Sequence, residues 1–386
     1  MKKLTRVLTE ILKSESLGLP LDLTCFRNTS EEELDKIFRF CVPHDVQNIF
    51  ASGLLKNGLV QKDSDLEKKL KNELLKSLSR YERSSHEFSD ICNLFEQNEI
   101  PFLPLKGVIL RDYYNEPSLR TSSDIDIFIN EKDAKKAVSV LCEKCGYTLK
   151  EDGVNEISLY SPSGVHLELL YVYEGKSTKE NVMLENFTSN FSLKKGKKYQ
   201  YEMSLEFFYM YALAHMARHF KQKGTGIRSV LDVYVMNNKF SLNNKELEVL
   251  LEKYNLIKFE EYTKKLCAVW FGSENLDKIT SLMQDYVLFS GVYGTAENFF
   301  ANATDDGKKG KYIRKRLWLP REAIEEFFPK AKITKANVLF YQMRRWFRLL
   351  KPKNLKRGLN EVKQAKKVSN KTIEERELLM QNLGLK

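Results

Sequence analysis

Residues 102–130 read FLPLKGVILRDYYNEPSLRTSSDIDIFIN, and this segment decides the fold. A short apolar run ends in Leu105, Lys106-Gly107 makes a turn that opens a helix, a polar loop follows, and a strand then carries Asp124 and Asp126. Side chains alternate faces along a strand, so both carboxylates point one way while Ile125 and Ile127 point into a core on the other side. At roughly 4 Å and an effective dielectric of about 20, two such charges repel by about 4 kcal/mol, so the pair calls for an offsetting charge. A divalent cation is the common answer, and hard cations such as Mg²⁺ arrive with substrate phosphates. An Asp-x-Asp on a half-exposed strand is also compatible with a plain solvated face, so the pair has to be weighed with its surroundings.

Those surroundings add chemistry. Lys106-Gly107 opens a helix whose free N–H groups suit a phosphate, and Arg120 lies just before the carboxylates. Farther on, Val165-His-Leu-Glu-Leu-Leu170 alternates as a strand should, with His166, Glu168 and Leu170 on one face and Val165, Leu167 and Leu169 on the other. Glu168 could therefore supply a third carboxylate, with His166 shaping the pocket beside it.

The order Leu105-Lys106-Gly107, a helix, Leu119-Arg120-x-x-x-Asp124-Ile125-Asp126-Ile127 and a later strand with a third acid resembles the nucleotidyltransferase superfamily built on the DNA polymerase β palm. More narrowly it is similar to the bacterial uncharacterised nucleotidyltransferase family, whose members show Leu-Lys-Gly where most of the superfamily has Gly-Ser. Two departures stand out: the gap between Gly107 and Asp124 is longer than in the Gly-Ser members, and Leu170 stands where relatives often carry a His. The resemblance implies a polymerase-β-like α+β core, with Asp124, Asp126 and Glu168 as catalytic metal ligands for Mg²⁺ or Mn²⁺. Lys106, Gly107, Arg120 and Ser123 would hold the triphosphate of an NTP. In that chemistry two cations about 3.5–4 Å apart support in-line attack at the α-phosphorus. The acceptor is left open among a small molecule, a glycan, a protein and an RNA. Two other readings use the same residues: a relative that binds nucleotide or RNA without turnover, and a phosphotransferase acting through the same metal site. Retention of all three acids speaks against the first, and no Walker Lys-Ser/Thr pattern or kinase motif set supports the second.

Composition bounds the rest. With 386 residues, 42% hydrophobic and 30% charged, the chain can bury several substructures. The longest apolar runs fall far short of the roughly 20 residues needed to span a bilayer, and the start MKKLTRVLTEILKSESLG lacks a signal-peptide h-region, so a cytoplasmic protein is expected. Cys25, Cys41, Cys92, Cys142, Cys145 and Cys267 show no disulfide spacing, and the Cys142-x-x-Cys145 pair sits alone on an amphipathic helix, where neither zinc nor redox chemistry is expected. A net charge of +11 points to anionic partners in general terms, with much of the excess in residues 308–316, at Arg344, Arg345 and Arg348, and in residues 351–357. Tyr341, Trp346 and Phe347, interleaved there, read as the buried stripe of one helix more than as a base-stacking platform.

Three regions are expected: helical residues 1–98, a catalytic core over 99–200, and helical residues 201–386. Ser64-Asp65-Leu66-Glu67 is a capping-box pattern that begins a long helix, with Ser84-Ser85 as a place to bend. Lys132 to Cys145 is an amphipathic helix stopped by Gly146, and strands follow over Tyr147 to Lys150, Glu156 to Tyr160 and Val165 to Tyr173. This order implies a mixed sheet with helices on one face. Helices resume after Met203. His215 and His219 share one helical face, and Arg228 and Asp232 repeat the spacing on the next helix. A polar network against the sheet and a contact with nucleotide or acceptor both remain open for that set. Gly291 to Ala296 reads as a glycine turn opening another helix, and Asn302 to Lys311 as a loop.

Overall fold

A computed structural model describes residues 2–153, 155–173, 177–291, 318–321, 324, 328, 331, 333–349 and 370–386. At its centre is a five-stranded sheet of β1 (Phe102–Pro104), β2 (Asp124–Ile129), β3 (Thr148–Asp152), β4 (Glu156–Tyr160) and β5 (His166–Leu170), in the order β1-β2-β5-β4-β3. β2 and β5 run parallel while every other neighbour pair is antiparallel, so the sheet is mixed and the fold is α+β. The parallel register sets Asp124 opposite His166 and Asp126 opposite Glu168.

Alternation along β2 and β5 sorts the two faces. Ile125, Ile127, Ile129, Leu167 and Leu169 are fully buried against α4 (Asp65–Gln97) and α6 (Glu131–Cys145). Burying each such side chain is worth about 1.5–3 kcal/mol, enough in sum to hold the strands in place whatever the other face carries. The long helix α4 starts where its pattern indicates: Ser64 Oγ accepts from Glu67 N at 3.1 Å. The Glu67 carboxylate takes the N–H of Asp63, not that of Ser64, so the capping is only half reciprocal. No break occurs at Ser84-Ser85. Gly146, at φ +68°, takes the left-handed conformation that ends α6 and returns its N–H to Leu141 O.

Helices are not confined to one face. The face bearing Asp124 and Asp126 is covered over its apolar half by Phe128, Leu103, Leu184, Phe187 and Tyr211, the last on α9 (Leu205–Gln222) and Phe187 on the one-turn helix α8 (Phe187–Asn190), which follows α7 (Lys179–Val182). Beyond β1 a short hairpin of β6 (Ser192–Leu193) and β7 (Tyr201–Glu202), with no counterpart in the sequence reading, continues the edge: Phe102 N donates to Tyr199 O at 2.9 Å, and the Glu96 carboxylate accepts the N–H groups of Tyr199 and Gln200.

The helical segments on either side of the sheet region share one core. Val7, Ile11 and Leu12 of α1 (Lys2–Leu17) and Phe50 of α3 (Gln47–Lys56) belong to the same buried cluster as Leu231 of α10 (Ile227–Lys239), Phe259 of α12 (Ile257–Phe271) and Tyr286 of α13 (Lys278–Ser290). α2 (Glu31–Cys41) and α11 (Asn244–Lys253) add Leu34, Ile37, Leu247 and Leu251. Farther along lie α14 (Val338–Leu349) and α15 (Asn370–Asn382). On α14 the expected stripe divides: Tyr341 and Trp346 are half-buried, Trp346 against Trp318, while Phe347 is 69% exposed. The glycine turn beyond Gly291, the 302–311 loop and the basic runs at 308–316 and 351–357 lie outside the described residues.

The loop between α5 (Lys106–Leu110) and β2 is held by all of these layers. Arg120 donates from Nε to Asp232 Oδ1 at 3.1 Å and from Nη2 to Oδ2 at 2.9 Å, and from Nη1 to Gly107 O at 3.2 Å. Tyr114 OH donates to the same Asp232 at 2.7 Å. Arg228 pairs with Asp45 and donates to Thr121 O, and Ser77 Oγ of α4 donates to Ser118 O at 2.5 Å. With its side chain 6% exposed, Arg120 without its partner would be a stranded buried charge. Asp232→Ala should therefore cost about 3–5 kcal/mol, read by urea unfolding, and the double change Arg120→Met with Asp232→Leu should recover most of it. A single variant as stable as the parent would show that the pair does not hold the loop.

Candidate active site

A cavity of about 340 Å³ opens over the carboxylate face of the sheet, walled on its far side by α9 and α10. Asp124, Asp126, Glu156 and Glu168 line the sheet side, and Lys106, His215, Arg218, His219 and Arg228 line the other. Asp124, His166 and Glu168 offer ligand atoms that all lie within 4.8 Å of one another, a group that could hold a metal ion. Asp126 lies next to them, hydrogen-bonded to Glu168.

Each acid is set by its strand position and then tuned locally. Ser122 Oγ donates to Asp124 Oδ1 at 3.2 Å and Ser123 Oγ to Asp124 Oδ2 at 3.1 Å, so Ser123 touches the carboxylate directly. Burial, with Asp126, Glu156 and Asp124 close by, pushes the Glu168 carboxyl up to about 8. Burial raises Asp126 as well, against the pull of Lys106, whose Nζ stands 3.9 Å from Asp126 Oδ2. His166 is fixed on both sides: its ring stacks on Tyr160 with centroids 4.8 Å apart, its Nε2 is 2.6 Å from Ser158 Oγ, and its Nδ1 is 3.7 Å from Glu168 Oε1.

Gly107 is required by close approach. A Cβ there would stand 2.9 Å from Ser122 Oγ, the hydroxyl that serves Asp124. The helix that it helps to open is short, with only five residues from Lys106 to Leu110 before a 3₁₀ turn. Arg120 also differs from expectation. Its fork is spent on Asp232 and on Gly107 O.

The α9 and α10 residues sort in the same way. Lys106 Nζ is 2.9 Å from the His215 ring nitrogens, and Arg218 Nη2 is 3.3 Å from His215 Nδ1 and 3.4 Å from His219 Nε2. Burial and these cations hold His215 far below its ordinary value and His219 at about 4, so both rings are neutral acceptors. Arg228 and Asp232, four apart on α10, do not pair with each other; each reaches to the 114–121 loop. Sequence reasoning overlooked Arg218, Glu180, Asp45 and Tyr114. For Arg218 a signal exists: His215, Arg218 and His219 form a polar stripe on an otherwise apolar helix.

The charges in the cavity do not balance. Among the described residues that line the cavity, Arg120 is offset by Asp232, Arg228 by Asp45 and Arg218 by Glu180, which leaves Lys106 to face Asp124, Asp126, Glu156 and Glu168. Oxygen donors in excess of cations fit a hard divalent ion. A mixed sheet that presents three carboxylates to a helix-walled cavity defines a nucleotidyltransferase-like core flanked by helices. Residues 30–272 match the uncharacterised nucleotidyltransferase family, and the chain belongs to that family. None of the curated proteins compared with the chain matches it. No helix among the described residues is long and apolar enough to cross a membrane.

The raised Glu168 gives a signed pH dependence. Its folded value of about 8 lies above the 4.5 of an unperturbed carboxyl, so protonation favours the folded state. That contribution is complete below pH 4.5 and is lost as pH rises through about 8. The metal-free melting temperature should fall across this window. Mg²⁺ binding at pH 7 should release protons, with an affinity that gains up to about tenfold per pH unit and levels above pH 8. Calorimetry in buffers of different ionisation enthalpy measures the release. A Mg²⁺ affinity flat from pH 6 to 8.5 would contradict it.

Proposed function

We propose that the chain transfers a nucleoside monophosphate from an NTP to an acceptor hydroxyl, with Mg²⁺, or Mn²⁺ in its place, held by Asp124, Asp126 and Glu168. The observation that carries this reading is the convergence of Asp124, Asp126 and Glu168, with Glu156 beside them, where among the described residues Lys106 is the cation without another acidic partner. Bound cations would lower the pKa of the acceptor hydroxyl and neutralise charge on the leaving pyrophosphate. In balance, the bond from acceptor oxygen to the α-phosphorus forms, the bond between the α-phosphorus and its bridging oxygen to the β-phosphate breaks, and the hydroxyl proton leaves to solvent.

The chain's own residues divide the remaining work. Asp124 and Asp126, on one face of β2, hold the reacting end, with Ser122 and Ser123 fixing the Asp124 carboxylate. Glu168 would release its proton to solvent on taking up a cation, because Asp126 beside it has to stay ionised to serve as a ligand as well. His166, locked by Ser158 and Tyr160, aims Nδ1 at Glu168 and orients it. Lys106 supports the phosphates as a point charge from the opposite wall, and Gly107 keeps the backbone clear of Ser122. Arg120 acts one step removed, by setting the loop that carries Ser122, Ser123 and Asp124. This is the fine division of roles supported by the geometry, and the acceptor could be a small molecule, glycan, protein or RNA.

Incubation with each NTP, Mg²⁺ and candidate acceptors, followed by intact-mass detection, tests the reaction: an adduct of one NMP supports it, and an adduct of one phosphate would replace it with phosphotransfer. Asp124→Asn and Asp126→Asn should each lower turnover by more than about two orders of magnitude without lowering the melting temperature, since Ile125 and Ile127 are untouched. Near-normal turnover of either at saturating Mg²⁺ would defeat the metal assignment. Lys106→Ala should weaken NTP binding more than NMP binding. Equal changes in both dissociation constants would show that Lys106 does not meet the outer phosphates.

A further inference from the structure

We propose that Arg218, on the cavity face of α9, is the arm that grips the outer phosphates of a polyphosphate, so that this wall of the cavity takes a triphosphate tail or free pyrophosphate. The inference rests on the nucleotidyltransferase reading of the cavity and assigns to it a residue that the sequence reading did not consider.

Three arginines line the cavity, and their bonding separates them. Arg120 has all three nitrogens donating to protein acceptors and is 6% exposed. Arg228 is tied by Nη1 alone, to Asp45 and to Thr121 O, so exposure and not donor count sets it apart: it is 19% exposed. Arg218 is 30% exposed, the most open of the three, and among the described residues its Nη1 has no hydrogen-bond partner. What holds Arg218 also aims it. Its Nε side is paired with Glu180, whose side chain is 4% exposed, and Nη2 rests between His215 and His219. Both rings are neutral, so Glu180 is the one charged partner of the guanidinium among the described residues, and Nη1 on its far side stays open to a ligand.

Location completes the argument. His215 separates Arg218 from Lys106, and Lys106 stands 3.9 Å from Asp126, so the two cations mark a line that leads from the acids along the helical wall. A polyphosphate whose reacting end lies at the acids would extend its outer phosphates along that line. The unpartnered Nη1 carries two N–H groups in the guanidinium plane, each able to donate to a phosphate oxygen in a fixed direction.

The test is calorimetry on the full chain with Mg²⁺, titrating ATP, GTP, CTP, UTP, the corresponding NMPs and inorganic pyrophosphate. The variants are Arg218→Met, Arg218→Lys, and the double change Glu180→Gln with Arg218→Met, which strands no buried charge; thermal melts of each report folding. The expected result is at least an about tenfold loss of NTP and pyrophosphate affinity in the Met variants, with NMP affinity within about twofold of the parent, and partial recovery in the Lys variant. Unchanged NTP and pyrophosphate affinity in a folded variant, or an equal loss for NMP, would overturn the proposal. Pyrophosphate binding by the parent chain that depends on Arg218, without binding of any NTP, would sink the nucleotidyltransferase reading while leaving this one standing. A parent that binds neither would remove both.

Discussion

The Arg120–Asp232 pair is the constraint on which the arrangement depends. It joins residues 112 positions apart and sits where three layers meet: the loop before β2, the short helix α5 through Gly107 O, and α10 of the C-terminal helices. A buried ion pair is weak evidence of stability as such, because desolvation offsets much of the attraction. Its value here is geometric. The bidentate fork admits one orientation, and the third donor fixes α5 relative to the loop, so the backbone arrives at Ser122, Ser123 and Asp124 in a set position. Tyr114, Arg228, Asp45 and Ser77 then hold the same loop from other sides.

That rigidity matters because the face beyond the loop carries unfavourable charge. Asp124 and Asp126 are two residues apart on a strand, about 7 Å, and at an effective dielectric of about 20 their repulsion is of order 2 kcal/mol. Glu168, brought alongside by the parallel register of β5, adds more, and its raised carboxyl shows the response: without an offsetting ion it keeps its proton. Burial of Ile125, Ile127, Leu167 and Leu169 on the opposite face outweighs the repulsion, so the strands do not yield and the strain is expressed as protonation. The same alternation that builds the core thus produces the demand for a cation.

What was legible in the sequence follows from the range of each interaction. Strand alternation is local, so the pairing of Asp124 with Asp126, the facing of His166 with Glu168, the start of α4 at Ser64 and the stop of α6 at Gly146 could all be read directly. Which acid would meet Arg120 could not, because Asp232 becomes its neighbour only when α10 docks. For Arg228 and Asp232 a polar network could be expected from the sequence but its partners could not, because Asp45 and Arg120 are distant in the chain and meet α10 only on docking. Phe347 differs from the expected stripe because helical periodicity shows which residues share a face and not whether another element covers it.

The cavity therefore joins two kinds of wall with different origins. The sheet side is fixed by strand register, where a one-residue slip would send the acids to the core face, so its chemistry has no freedom to drift. The helical side is built from side chains on α9 and α10 whose positions are set by a core shared between the first 70 residues and the last half of the chain. Half-buried residues on that wall, such as Ala212 and Ser229, lie outside both the strand register and the Arg120 clamp, whereas Met216, Val233 and Met236 are buried in the shared core. Selection of a ligand can accordingly vary on the helices while the carboxylate geometry stays constant. This division explains why motifs on the strands specify a reaction class and leave the acceptor unspecified: the acids are constrained by backbone pairing, whereas the surfaces that would meet an acceptor are constrained only by helix packing.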